Sequence, residues 1–193
     1  MRKYILVPCF LWLAGCATPP TPVKPDSGEQ LVGDRLTVTL DGSWNHIYIP
    51  GQAAEHWTME GLPIDDLQIY SGIKDGQAMQ PVARGSSATP AVFHSTMQPD
   101  EIVSLFESML TRDGSTFQLV KSEPATFGGA KGYHFEFKVV RKVDSVELSG
   151  VGYGAVSNGE LFSIVYIAPR MTFFGRYQAR VENIAQGARI KGI

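Results

Sequence analysis

Between Gly132 and Ala168 the chain alternates and doubles back in a way that an antiparallel sheet satisfies. Tyr133, Phe135, Phe137 and Val139 share one face of a strand over 132–141, while His134, Glu136 and Lys138 share the other. A turn near Val143-Asp144 leads into a second strand over 146–156. Asn158-Gly159 then supplies a strong type I′ hairpin signal, since both positions of that turn need positive φ. The strand that follows, 161–168, is apolar on both faces, which predicts a central strand covered from both sides. Gly150, Gly152 and Gly154 fall on one face at a period of two and predict close approach of a helix or another backbone there.

The covering layers are visible as helices. Pro99 opens a helical pattern running to about Arg112, with Asp100 and Glu101 at its positive dipole end and Gly114 at its exit. Ile102, Phe106, Met109 and Leu110 define one buried stripe. A closing helix over about 172–188 places Phe173, Tyr177, Val181, Ile184 and Ala188 on another. Upstream, 35–40 and 44–49 read as strands around an Asp41-Gly42 turn, with further short strands near 56–60 and 67–73. Residues 117–121 form one more, before Pro124 and the Gly128-Gly129 turn. Residues 74–90, rich in Gly, Ser, Ala and Pro, read as a loop. The fold class expected is therefore α+β: a mostly antiparallel β-sheet of about six strands sandwiched by α-helices.

The N-terminus carries an address. Arg2 and Lys3 precede an uncharged apolar stretch from Tyr4 to Leu13, too short for the ~20 residues that span a bilayer core. It runs into Leu13-Ala14-Gly15-Cys16, which resembles the lipobox of bacterial lipoproteins. That resemblance implies a signal peptide over 1–15, a diacylglyceryl group on the Cys16 thiol and cleavage before Cys16. Two or three acyl chains give stable anchoring where one does not. Ala17 stands where an aspartate marks inner-membrane retention in Gram-negative lipoproteins, so the resemblance implies the outer membrane, facing the periplasm.

Cysteine and charge arithmetic then exclude whole classes of function. Cys9 leaves with the signal peptide and Cys16 is consumed by lipid, so no thiol nucleophile, disulfide or cysteine zinc site remains. Of the 17 Lys and Arg, Arg2 and Lys3 are lost, leaving 15 against 19 acidic residues, a net of −4. No basic patch with interleaved aromatics exists, so nucleic acid is not an expected partner. Residues 16–30, with Pro19, Pro20, Pro22 and Pro25, read as the lipidated cysteine and a tether, and 31–193 as one domain.

The order of elements resembles the PsbP-like fold, first known in an accessory protein of photosystem II and recurring in bacterial envelope lipoproteins. The matching features are Gly42-Ser43-Trp44 after an apolar strand, the helix around 102–112, the turn Phe127 to Gly132, the meander 133–168 and the closing helix. The resemblance implies an antiparallel sheet between helices and a role as an assembly or interaction factor, and brings no catalytic residues with it.

Candidate chemistry is sparse. Gly150-x-Gly152-x-Gly154 lies in a strand and lacks the following helix that a phosphate loop requires. His134 and Glu136 offer two ligands or an acid–base pair, and beside Lys138 they read better as an exposed pairing surface. Gly85-Ser86-Ser87 has no nucleophile-elbow context. Arg176 and Arg180, one turn apart, read as a solvated face partly paired with Glu182. No catalytic residue, metal ligand or cofactor is expected. The leading expectation is a non-catalytic interaction domain on a lipid tether, contacting an envelope protein through Met79, Pro81, Val82 and Arg84 of the 74–90 loop. The alternatives are a carrier of a hydrophobic ligand using Trp44, Trp57 and Tyr70, and then a hydrolase assembled from distant residues.

Overall fold

The strand with two apolar faces is the spine of the molecule. In the computed structural model, which describes residues 25–82 and 89–192, strand β8 (Glu160–Pro169) lies between β4 (Asp66–Ile73) and β7 (Glu147–Ser157). Leu161, Val165 and Ile167 face one core, while Phe162, Ile164, Tyr166 and Ala168 face the other. Beyond β7 come β6 (Ala130–Val140) and β5 (Thr116–Phe127); beyond β4 comes β3 (Ala54–Thr58). Every pairing is antiparallel. Asn158 and Gly159 take φ of 52° and 78°, the type I′ geometry their identities call for.

One helix closes each face. Helix α1 (Pro99–Leu110) buries Ile102, Val103 and Phe106 against Tyr70, Tyr133, Phe135 and Phe137; Met109 and Leu110 of the expected stripe remain half-exposed. At its start the Gln98 N–H donates to Glu101 Oε2 at 2.7 Å, closing the first turn. The closing helix begins as a π-helical turn (Arg170–Phe174) and becomes α-helical over α2 (Gly175–Gly187). Tyr177, Val181 and Ile184 pack on the second core, joined by Ala188 just past the helix end.

The sheet has nine strands rather than about six, and the added ones come from segments read otherwise in the sequence. Strand β1 (Asp26–Val32) takes 26–30 out of the expected tether and pairs it with β2 (Leu36–Ile47). Asp26 Oδ2 accepts the Trp57 indole N–H at 3.0 Å, fastening the start of β1 to β3. Asp41-Gly42 does not turn the chain. It is the extra length of a bulge inside β2: Leu40 pairs Gly28 and Trp44 pairs Asp26. Gly42 adopts φ of 96° there, a backbone conformation that favours glycine, and the Arg180 guanidinium lies beside it. Past the bulge β2 changes partner and pairs β3 from Asn45 to Ile47. Strand β5 continues through Pro124, tolerated because β5 is a sheet edge. A two-residue β9 (Arg189–Ile190) completes the count beside β2.

The three glycines of β7 are covered by no helix; aromatic rings lie over them, and the Phe162 carbonyl also closes in on Gly154. Gly150, Gly152 and Gly154 stand opposite Phe137, Phe135 and Tyr133 of β6, and those rings lie across them. A Cβ at any of the three would fall within contact distance of the facing ring.

Candidate functional site

The two arms of the 74–90 segment are anchored. Backbone bonds from Gly76 N to Phe93 O (2.8 Å), Phe93 N to Gln77 O (2.9 Å) and Met79 N to Ala91 O (2.8 Å) tie its two arms into a ribbon. Met79, Ala91 and Phe93 then enter the core beside Ile102 and Phe106. Met79 is therefore no partner contact: it is fully buried and serves as the ribbon's apolar anchor. Pro81 is exposed and Val82 half-buried, while Arg84 lies outside the described residues.

Where the ribbon leaves the core it meets the end of α1. Arg112 Nη1 donates to Gln80 Oε1 at 3.1 Å and to the Pro81 carbonyl at 3.4 Å. Gln52, Gln80, Pro81, Met109, Leu110, Arg112 and Asp113 surround an open depression of about 460 Å³. Pro81, Met109 and Leu110 give it apolar surface, its rim carries two amides, the Arg112 guanidinium and the Asp113 carboxylate, and among the described residues no nucleophile lines it. Such a surface accepts a side chain or a peptide segment and does no chemistry on it. Arg112 was legible only as the last residue of a helical pattern. What singles it out is that the apolar stripe of α1 runs out at Met109 and Leu110, half-exposed, beside it.

The ionisable clusters lie elsewhere. His56 Nδ1 meets both oxygens of Asp66 at 2.9 and 3.1 Å; Gln68 Nε2 donates to Asp66 Oδ2 and Tyr70 Oη to Gln68 Oε1, each at 2.8 Å. This relay is a His–carboxylate dyad by composition, but it faces inward: His56 is 4% exposed and lines none of the depressions found. Burial, reinforced by the Asp66 charge, pushes the Tyr70 hydroxyl far above the ordinary tyrosine range. On the opposite face, His134 meets Glu123 Oε1 at 3.0 Å and Glu136 Oε1 at 3.8 Å, and stacks on Tyr153 at 4.6 Å. Lys121 binds the same Glu123 at 2.8 Å, and the hydrogen bonds from Lys121 and then His134 hold that carboxyl below its usual range. The face expected as an exposed pairing surface is partly covered: His134 is 8% exposed and meets Glu123 across strands, while the Lys121–Glu123 and His134–Glu136 contacts each run along one strand. Among the described residues no three His, Cys, Asp or Glu side chains converge as a metal site.

The aromatic residues proposed for a ligand carrier are structural. Trp44, Trp57 and Tyr70 are at most 3% exposed. Trp44 packs edge-on to Tyr166 with centroids 6.3 Å apart and donates its indole N–H to the Asp41 carbonyl. The carrier reading loses its residues. The α2 arginines also differ from expectation. Arg176 pairs with Glu60 at 2.9 Å, Arg180 reaches the Asp41 carbonyl, and Glu182 accepts from Gln178 instead.

With this geometry in view, the chain is similar in structure to a cyanobacterial PsbP (CyanoP) from Synechocystis sp. PCC 6803. The TM-score is 0.59 at 12% identity, over 92% of this chain and 98% of that one. A second solved structure, LpqN, described as involved in cell envelope biogenesis of Mycobacterium tuberculosis, aligns with a TM-score of 0.49 at 13% identity, covering 80% and 82%. No protein-family model and no curated protein sequence matches the chain. The fold is PsbP-like, as the order of elements implied.

Proposed function

We propose that the chain is a lipid-anchored bacterial envelope lipoprotein whose PsbP-like domain is a non-catalytic interaction or assembly module. Cys16 carries the lipid, and the domain faces the periplasm from the outer membrane. The anchor reading rests on Leu13-Ala14-Gly15-Cys16 and the short apolar stretch before it, all outside the described residues. The observation that carries the interaction reading is the depression between the ribbon and α1. A ribbon fastened by Met79 brings Gln80 and Pro81 to Arg112, beside the half-exposed Met109 and Leu110 at the end of α1. Pre-organised apolar surface with one guanidinium is what a protein contact uses.

In-cell crosslinking of the tagged lipoprotein with mass spectrometry tests this. Val82→Asp combined with Arg112→Glu leaves folding and membrane recovery intact and abolishes the specific crosslinks of the wild type. An unchanged crosslinking pattern removes the depression as the interface. Cys16→Ser abolishes metabolic incorporation of a fatty-acid analogue and leaves uncleaved precursor; continued labelling of that variant sinks the anchor.

A further inference from the structure

Antiparallel topology sends three connections out of the same end of the sheet: the β3–β4 turn, the exit of β8 into the π-helical turn, and the β6–β7 turn. Registers place them side by side, since Asp66 pairs Ile167, Leu148 pairs Pro169 and Val140 pairs Glu147. Each carries exposed apolar side chains at its tip. Leu62 and Ile64 are each 39% exposed, Val143 82% and Met171 91%. In the strand order β3-β4-β8-β7-β6 these tips form a row about 15 Å long, at ~4.8 Å per strand. The row is one built surface. The Arg141 guanidinium donates to the Pro63 carbonyl at 3.2 Å, joining two turns, and Arg176 and the Tyr177 hydroxyl both bind Glu60, joining the third.

The described chain begins at this end. Asp26 pairs Trp44 and accepts from Trp57, the residue before Thr58, where β3 ends and the Leu62–Ile64 turn begins. Residues 17–25 therefore connect Cys16 to the rim of the apolar row, with a reach of about 30 Å when extended. Of the cations among the tips, Arg141 binds Asp144, Arg170 binds Glu147 and Arg176 binds Glu60, while Lys142 stands exposed beside Val143; with Asp65 of the first turn counted, four basic residues face four acidic ones. The row thus offers apolar contact without net charge, which suits the headgroup–acyl boundary of a bilayer better than an acidic or basic protein.

We infer that this end is a membrane-contacting surface: Leu62, Ile64, Val143 and Met171 dip into the lipid on which the tether is anchored. The domain then stands end-on, with the opposite end presented away from the membrane. This inference rests on the anchor reading for the lipid's presence, and its test separates the two.

In the mature lipoprotein an introduced cysteine is the one free thiol, because Cys9 is removed and Cys16 acylated. Val143→Cys, Met171→Cys and, at the other end of β3, Tyr48→Cys (82% exposed) are labelled with a polarity-sensitive fluorophore. Each protein is reconstituted into phosphatidylcholine vesicles with or without nitroxide lipid. The labels at 143 and 171 shift to the blue and lose emission to nitroxide lipid, at low and high salt alike, while the label at 48 does neither. Equal aqueous emission from all three positions, or quenching at 48 alone, overturns the inference. The mass of the N-terminal peptide reports acylation independently. Should Cys16 prove unmodified, the chain from residue 16, with Cys16→Ser and an N-terminal histidine tag on nickel-chelating lipid, is read by the same three labels. The same pattern then upholds the contact surface while the anchor reading fails.

Discussion

Replacing Gly152 tests how the centre of the sheet is built. Gly152 has no positive φ, so its backbone tolerates a side chain, and glycine within a strand forgoes roughly 0.5–1 kcal/mol relative to alanine. Conformational preference alone therefore predicts that Gly152→Ala stabilises. The structure predicts the reverse. A Cβ at 152 meets the Phe135 ring edge inside contact distance. That ring is fully buried and boxed in by Phe106 at 5.6 Å, Phe137 at 5.5 Å and Tyr133 at 6.1 Å between centroids. With no room to yield, overpacking costs about 1–3 kcal/mol and exceeds the propensity gain. Gly152→Ala should lose about 1 kcal/mol net, and Gly152→Val, with two more methyl groups, about 3 kcal/mol. The assay is urea denaturation of the mature chain, comparing midpoints at constant slope. Gly187→Ala, at the end of α2 with no atom within 4 Å of the added Cβ, should be stabilising by up to about 1 kcal/mol. Adding Phe135→Leu to Gly152→Ala should recover part of the loss, a coupling expected of residues in contact. A Gly152→Ala midpoint at or above wild type, with an unchanged slope, refutes the view that the aromatic lid requires glycine.

Two further outcomes follow from buried polar groups. Asp65, 1% exposed, accepts from the Met59 N–H at 3.0 Å, the Glu60 N–H at 2.8 Å and the Thr58 hydroxyl, so Asp65→Ala should destabilise by about 2–3 kcal/mol in the same urea assay. Burial raises the hydroxyl pKa of Tyr70, Tyr133 and Tyr166, and brings that of Tyr153 up to about 12. Folded-state values above the unfolded ~10 mean that this stability is whole below about pH 10 and drains away as pH rises toward the folded values. The tyrosinate absorbance of these four residues should then appear together with loss of circular dichroism in one alkaline transition; ionisation of all four well before unfolding would contradict the burial.

What local pattern decides, the sequence determined by itself. Helix α1, the alternation of β6, the Asn158-Gly159 hairpin and the two-faced β8 follow from sterics and hydrophobic period within a dozen residues, and all stand where they were read. Tertiary structure decided whatever depends on a partner distant in sequence. Asp-Gly is a good turn in isolation, yet in β2 the pairing of Leu40 with Gly28 and Trp44 with Asp26 makes it a bulge. Residues 26–30 look like tether because their alternation is weak, and become a strand because β2 offers an open edge and Trp57 an indole N–H. Met79 sits in a polar, glycine-rich segment, and only the bridge between Ala78 and Val92 carries it into the core. The depression at Arg112 and the row of apolar tips depend on the same cause. Each tip is an isolated exposed residue along the chain, and only antiparallel register, which returns every second connection to the same end of the sheet, makes the tips neighbours.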